Sequence, residues 1–143
     1  MVVGMNISDA KDLIELLAGR SAAWNALWTL FYTVGAAIVG VIASGKLISN
    51  RRSLASLIAV IGFLVFAVGN FKALDAMRKQ REAVVDFVEV KAQQTNSPEI
   101  IAVAKASKPP SFFELCVYHW TLSAAVVAVL VFIPRFLGAS KDA

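Results

Sequence analysis

The sequence predicts an all-α integral membrane protein with three transmembrane helices, the second continuing as a long projecting helix, plus a short N-terminal amphipathic helix. Hydrophobic residues make up 58% of the 143 residues and charged residues only 17%. The apolar residues come in long uncharged blocks, whereas a soluble domain of this size distributes them in amphipathic stripes. The charged residues lie between the blocks, so lipid is the expected solvent for much of the chain.

The first two blocks are each long enough to cross a bilayer. Residues 21–45 contain no Asp, Glu, Lys or Arg, and at about 1.5 Å per residue they exceed the roughly 30 Å of hydrocarbon. Residues 53–71 just cover the same thickness, with Arg51 and Arg52 at one end and Lys72 at the other. We therefore expect transmembrane helices over 21–45 and 53–71.

The third block predicts a transmembrane helix over residues 112–134. Ser111 precedes Glu114 by three residues, a capping-box pattern that places the start of the helix at Phe112. His119 adds a polar group near this start, so we expect the first turn at the level of the lipid headgroups. A short tail, residues 135–143, completes the chain.

Residues 1–20 predict a short amphipathic helix that lies on the membrane surface and ends at Gly19. Its apolar side chains recur at i, i+3, i+4 and i+7 and form one face: Ala10, Leu13, Ile14 and Leu17. A cleaved signal peptide explains this end less well, because such a signal has a basic start and an apolar run of about 7 to 15 residues. The block that follows is longer, and acidic residues precede it.

The connection after the second block predicts a helical hairpin over residues 72–110. Good helix formers fill it as far as Gln94 without Gly or Pro, so one helix should run from Ser53 to about Gln94. Its projecting half carries an incomplete apolar stripe, which we expect to face a partner helix in another protein or in a second copy. The stripe comprises Leu74, Met77, Val84, Val85 and Val88.

The second arm of this hairpin is predicted to be a short helix from Pro98 to about Ala106. Proline is favoured at the first position of a helix, and Ser97 before it is a suitable cap. The Lys108-Pro109-Pro110 sequence then breaks the chain before the third block.

Basic residues predict the orientation. The N-terminus and the 72–114 connection share one side of the membrane and carry nine Lys and Arg, against five on the other side. The positive-inside rule then favours a cytoplasmic location for the first side. Three of the five opposing residues fall in one very short turn, residues 46–52, which is the argument for the reverse. We expect a multi-pass protein of a bacterial plasma (inner) membrane.

Small and polar residues within the spans are candidates for helix contacts. Small residues at intervals of four let two backbones approach closely, either within one chain or between copies. The candidates are Ala36, Gly40, Ser44, Ala124 and Ala128. Four polar residues are candidates for hydrogen bonds between helices rather than for an ion site: Asn25, Thr29, Asn70 and His119.

The chain contains one cysteine and one histidine, Cys116 and His119, at i and i+3. Structural zinc needs four ligands and catalytic zinc three, so Glu114 or a second chain would have to complete a metal site. We expect no metal and no cofactor. Phosphate-binding loops, nucleophile elbows and intramembrane carboxylate pairs are absent from the sequence, which favours a protein that is not an enzyme.

Two functions remain. The first is a non-catalytic membrane scaffold or accessory subunit that presents the charged helix to a partner or to itself. The second is a homo-oligomeric channel, pore or membrane-permeabilising protein lined by residues such as Asn25, Thr29, Thr33 and Ser44. The expected partners are the lipid bilayer and either further copies or a larger membrane complex. The net charge of +4 is explained by anionic lipid headgroups more simply than by nucleic acid.

Overall fold

A computed structural model describes the backbone over residues 7–44 and 52–139 and the side chains over 11–12, 14–44 and 54–132. These residues form four helices: α1 (Ile7–Ala43), α2 (Arg52–Gln94), α3 (Pro98–Ala106) and α4 (Phe112–Ala139). Within this described part, three stretches are long and apolar enough to cross a membrane: Ile14–Ala43, Leu54–Gln94 and Phe112–Phe132. The prediction of an all-helical chain with three such helices is confirmed. The predicted tail over 135–143 is wrong in part, because α4 continues as a helix to Ala139. Residues 140–143 and the predicted turn at 46–52, except Arg52 at the start of α2, lie outside the described residues.

Helix α1 runs without interruption from Ile7 to Ala43, which corrects the predicted helix end at Gly19. One glycine costs a helix only about 1 kcal/mol relative to alanine, and leucines and alanines on both sides of it favour continuation. Leu17 of the predicted amphipathic face is 4% exposed and packs against other helices, whereas Ile14 is exposed. The side chains of Ala10 and Leu13, the rest of that face, lie outside the described residues.

Helix α2 covers 43 residues, which confirms the predicted continuous helix to within one residue. It ends in a Schellman turn, in which the Ser97 amide donates to the Ala92 carbonyl at 2.9 Å and the Asn96 amide to the Gln93 carbonyl at 3.2 Å. Asn96 has a φ of 52°, the left-handed conformation that asparagine adopts more readily than most residues. The turn therefore satisfies backbone groups that the end of α2 would leave unpaired.

Helix α3 has the predicted bounds, Pro98–Ala106. Ser97 stands at its N-cap position, as predicted, but its side chain makes no capping hydrogen bond. The Ser97 Oγ instead lies 3.1 Å from the Oγ of Thr95, within the turn that ends α2.

The chain divides into two compact units, and α1 and α2 each contribute to both. The charged unit comprises residues 7–27 and Ala73–Phe112, and the apolar unit comprises 28–44, 52–72 and 113–139. Among the described side chains, the charged unit has fifteen Asp, Glu, Lys and Arg residues. The apolar unit has two, Lys72 and Glu114.

The charged unit has a small aliphatic core to which three helices contribute. Leu17 comes from α1, Val85 and Val88 from α2, and Ala104 from α3, and all four are buried. Lys108, beyond α3, also lies 3.4 Å from a carboxylate oxygen of Glu89 on α2. These contacts hold α3 against α2.

The apolar unit has an aromatic core between α1, α2 and α4. Its buried members are Phe31, Ile42, Phe63, Ala67 and Leu130. Gly35 is buried at this helix contact, where an added Cβ would make ordinary van der Waals contacts, at 3.5 Å from a methyl of Val126 and 3.8 Å from the ring of Phe63. Small residues let membrane helices pack in this way.

Candidate functional site

The apolar stripe that the sequence offered as a partner face is covered by the chain itself. Leu74 and Val85 are fully buried and Val88 is 1% exposed, while Met77 and Val84 are half-buried. Val84, Val85 and Val88 belong to the core of the charged unit with residues of α1 and α3. The sequence identified the apolar face of this helix, but its neighbours are helices of the same chain.

Sequence reasoning missed the opposite face of α2, which is open. Phe87 and Val90 are 53% and 52% exposed, large fractions for such side chains on a helix rich in charge. Ala76, Ala83 and Gln94 lie on the same face and are exposed too. In the sequence, these five residues are separated by steps of seven, four, three and four, which is the spacing typical of a coiled-coil contact.

A charged network runs along α2 at the start of the charged unit. The Arg78 side chain donates to Asp75 at 3.2 Å and to Glu82 at 2.9 Å. The Lys79 ammonium lies 2.7 Å from the other oxygen of Asp75, and the Arg78 guanidinium sits over the Phe112 ring at 5.8 Å. Two cations and two anions balance, so the network suits bracing of the helix better than capture of an ion.

The same network lowers the pKa of one carboxyl group, that of Asp75. The hydrogen bond from Lys79 lowers the pKa of Asp75 below its ordinary value; burial raises the pKa, but Arg78 lowers it further. Asp75 lies beyond the predicted 53–71 span, and its side chain is 17% exposed, so solvent screens these interactions only in part. Asp75 is therefore ionised at neutral pH.

His119 is fully buried in the apolar unit. Neither of its ring nitrogens has a hydrogen-bond partner among the described residues. Four rings surround it with centroid distances of 4.7 to 6.0 Å: those of Phe31, Phe71, Trp120 and Trp28. Aromatic faces accept weak hydrogen bonds from an imidazole N–H. These four rings therefore replace part of the hydrogen bonding that water would give to the imidazole.

The structure places the other polar candidates differently. Asn70 is 5% exposed within the apolar unit, whereas Asn25 and Thr29 lie on exposed surface. The predicted contact residues with small side chains are exposed as well: Ala36, Gly40, Ser44, Ala124 and Ala128. Gly40 has no atom within 4 Å of an added Cβ, so close packing inside this chain uses Gly35 instead.

The residues considered as metal ligands do not come together as a set. No three His, Cys, Asp or Glu side chains within the described ranges lie close enough to hold a metal ion. Cys116 is a free, half-buried thiol. It lies one turn before the buried His119 on α4.

An apolar groove lies on the surface of the apolar unit between α1 and α2. It has a volume of about 430 Å³. Seven aliphatic side chains line it: Ala37, Ile38, Val41, Ile42, Ala55, Ile58 and Ala59. Such a lining offers a ligand no hydrogen bond and suits an acyl chain.

These features define a class: a helical protein with three membrane-capable helices, an apolar unit and a separate charged unit. Comparisons with known protein families, with curated proteins and with solved structures found no match.

Proposed function

We propose that this chain is a small non-catalytic membrane subunit. Its apolar unit packs in the bilayer of a bacterial plasma (inner) membrane, and its charged unit lies outside the lipid and presents α2 to a partner. The basic residues support a cytoplasmic location for the charged unit.

The observation that carries this proposal is the reversal of surface chemistry between the two units. Among its described side chains, the apolar unit exposes seventeen large hydrophobic ones, including Val65 at 70% and Phe113 at 74%. A water-facing surface of this kind would aggregate, whereas hydrocarbon solvates it. Among the described side chains, the charged unit buries an aliphatic core, exposes ten of its fifteen charged residues and exposes only six large apolar residues.

The test is gentle solubilisation of the native membrane, followed by the mass of the complex and identification of every protein in it. A defined complex of fixed stoichiometry supports a subunit role. A chain that runs as a lone monomer under conditions that preserve other membrane complexes would overturn it. Extraction of the chain by carbonate at high pH would overturn the membrane location itself.

A second function, a homo-oligomeric pore, is favoured by one face of α1. Thr29, Thr33, Gly40 and Ser44 recur at helical spacing and are exposed, and polar side chains of this kind are better placed against a water-filled path than against lipid. The proposal predicts that purified protein in vesicles releases a small entrapped ion.

Thr29→Leu should then reduce the release. The matched control is Thr121→Leu, an exposed threonine on α4. Release that is absent, or that both variants leave unchanged, would exclude the pore.

A further inference from the structure

We propose that α2 pairs in parallel with α2 of a second copy of this chain, through its open face. The inference rests on the proposed function, since it names the partner to which the charged unit presents α2. The open seam consists of Ala83, Phe87, Val90 and Gln94, with Ala76 one heptad before Ala83.

The seam has coiled-coil spacing. Ala83 and Val90 occupy one heptad position and Phe87 and Gln94 the other, with alternating steps of four and three residues. All four are exposed. The residues that α2 buries, such as Val85 and Val88, lie on the opposite side, so pairing along the seam leaves the core of the charged unit undisturbed.

Membrane insertion sets the direction of pairing. Two copies of one chain in one bilayer have the same topology, so their α2 helices run parallel. In a parallel coiled coil, the residue directly before a seam residue such as Phe87 lies close to a residue of the partner helix. That partner residue is five positions further along the sequence. Here these flanking residues are Asp86 and Lys91, of opposite charge.

The two flanking charges are available for this contact. Neither Asp86 nor Lys91 makes an ion pair with any described residue of its own chain. The twofold symmetry of a dimer repeats the pair on both sides of the seam. The seam is therefore self-complementary, which favours a second copy over an unrelated helix.

Gln80 occupies the same heptad position as Phe87, one heptad earlier, and marks the membrane-proximal end of the paired stretch. Gln80 is exposed, and its side-chain oxygen accepts a hydrogen bond from Arg20 of α1 at 2.8 Å. Its amide is thus held toward α1, and the paired stretch is centred on Phe87 and Val90.

One of the two heptad positions, that of Ala83 and Val90, continues along α2 as small residues, whereas the other reaches Phe66, which packs against the core of the apolar unit. Gly62 and Gly69 precede Ala76 and Ala83 at intervals of seven. Both glycines are exposed, and a Cβ at either would meet no atom within 4 Å. Exposed glycines in a membrane helix permit close approach of a second helix, so the seam can extend toward the membrane at this one position.

Cysteine cross-linking in native membranes tests the pairing. In a Cys116→Ser background, Ala83→Cys and Val90→Cys place thiols at the seam, where paired Cα atoms come within disulfide reach. The control is Glu82→Cys, exposed but off the seam. We expect about tenfold more disulfide-linked dimer from the two seam variants than from the control. Equal yields from all three would overturn the proposal.

A charge swap tests the direction. Asp86→Lys places like charges opposite each other twice per dimer and should weaken association about fivefold. Adding Lys91→Asp restores opposite signs and should return the affinity to its original value. Failure of the double variant to recover would exclude the parallel register.

The outcomes separate this inference from the proposed function. If gentle solubilisation yields a complex with a different protein and the seam cysteines do not cross-link copies, the subunit role stands and the second copy is excluded. If the chain purifies as a lone monomer, both the subunit role and the pairing of two copies are excluded.

Discussion

The charged unit and the apolar unit contain parts of the same helices but follow opposite rules. In the charged unit, α1, α2 and α3 bury small aliphatic side chains and expose charge. In the apolar unit, aromatic residues fill the core and large apolar residues also cover the surface. Burial follows hydrophobicity more closely in the charged unit than in the apolar unit, which is the pattern expected if lipid surrounds the apolar unit as proposed.

With the apolar unit in lipid, as proposed, different forces stabilise the two units. Water drives the aliphatic residues of the charged unit inward, since each buried leucine or valine contributes about 1.5–3 kcal/mol relative to exposure. In hydrocarbon this drive is absent, and helix association depends on close van der Waals packing and polar contacts. Gly35 and the Phe31–Phe63 ring contact, at 5.8 Å, supply such packing in the apolar unit.

The largest expected effect comes from the aromatic core. Phe63→Ala removes a fully buried ring and should lower the free energy of unfolding by about 3–5 kcal/mol. Unfolding in mixed detergent micelles, followed by circular dichroism, measures it. The control, Ile61→Ala, trims an exposed side chain on the same helix and should change little. Equal losses from both variants would show that packing against Phe63 does not stabilise the unit.

The core of the charged unit should give a smaller effect. Val88→Ala is expected to lower stability by about 1–2 kcal/mol, because it removes two methyl groups from a buried site. Hydrogen exchange of residues 73–106 is the readout, and exchange in the apolar unit should not change. Val103→Ala, exposed on α3, is the matched control. Faster exchange in both units would mean that they unfold as one.

The charged network around Asp75 should contribute less to the free energy of unfolding than either core does. Asp75→Asn removes the acceptor of two ion pairs at a partly solvated site and should cost below about 1 kcal/mol at neutral pH. Since the folded pKa of Asp75 is lowered, its contribution is present above the unfolded pKa of about 4 and is lost as pH falls. Wild type and variant should therefore converge in stability in acid. A constant difference across pH would contradict the assignment.

The smallest effect is expected at His119. Its ring nitrogens have no partner within the described part of the chain, so His119→Leu, a change to an apolar side chain of similar volume, should leave stability within about 1 kcal/mol of wild type. Thermal unfolding in detergent measures it. A loss well beyond this would reveal a bound water or ligand that the imidazole holds in the membrane.

The sequence predicted the helices well, because their signals are local. The uncharged blocks, the Ser111 and Glu114 spacing and Pro98 each act within a few residues, and they predicted the bounds of α2 and α3 and the start of α4. The end of α4 was not predicted, because it lies at Ala139, five residues beyond residue 134. Gly19 misled because the glycine was weighed as a helix end, whereas its cost is too small to stop a long helix.

The candidate sites were harder to predict, because they depend on which helices meet. The stripe with Val85 and Val88 was recognised as apolar, but periodicity cannot say whether its neighbour is the same chain or another. The spacing of small residues predicts a helix contact at Gly40, whereas of the two glycines only Gly35 is buried. The sequence alone does not say which face of α1 turns inward.

In the charged unit, α2 has one buried face and one exposed face, and the two faces differ in how freely their residues can change during evolution. Substitutions at Val85 or Val88 alter the fold of the charged unit and are held back by selection for stability. Substitutions at Phe87 or Val90 touch no core and leave the fold intact. If α2 pairs through its open face as proposed, duplicated copies of this chain can lose affinity for each other through substitutions on that single face while they keep the same fold.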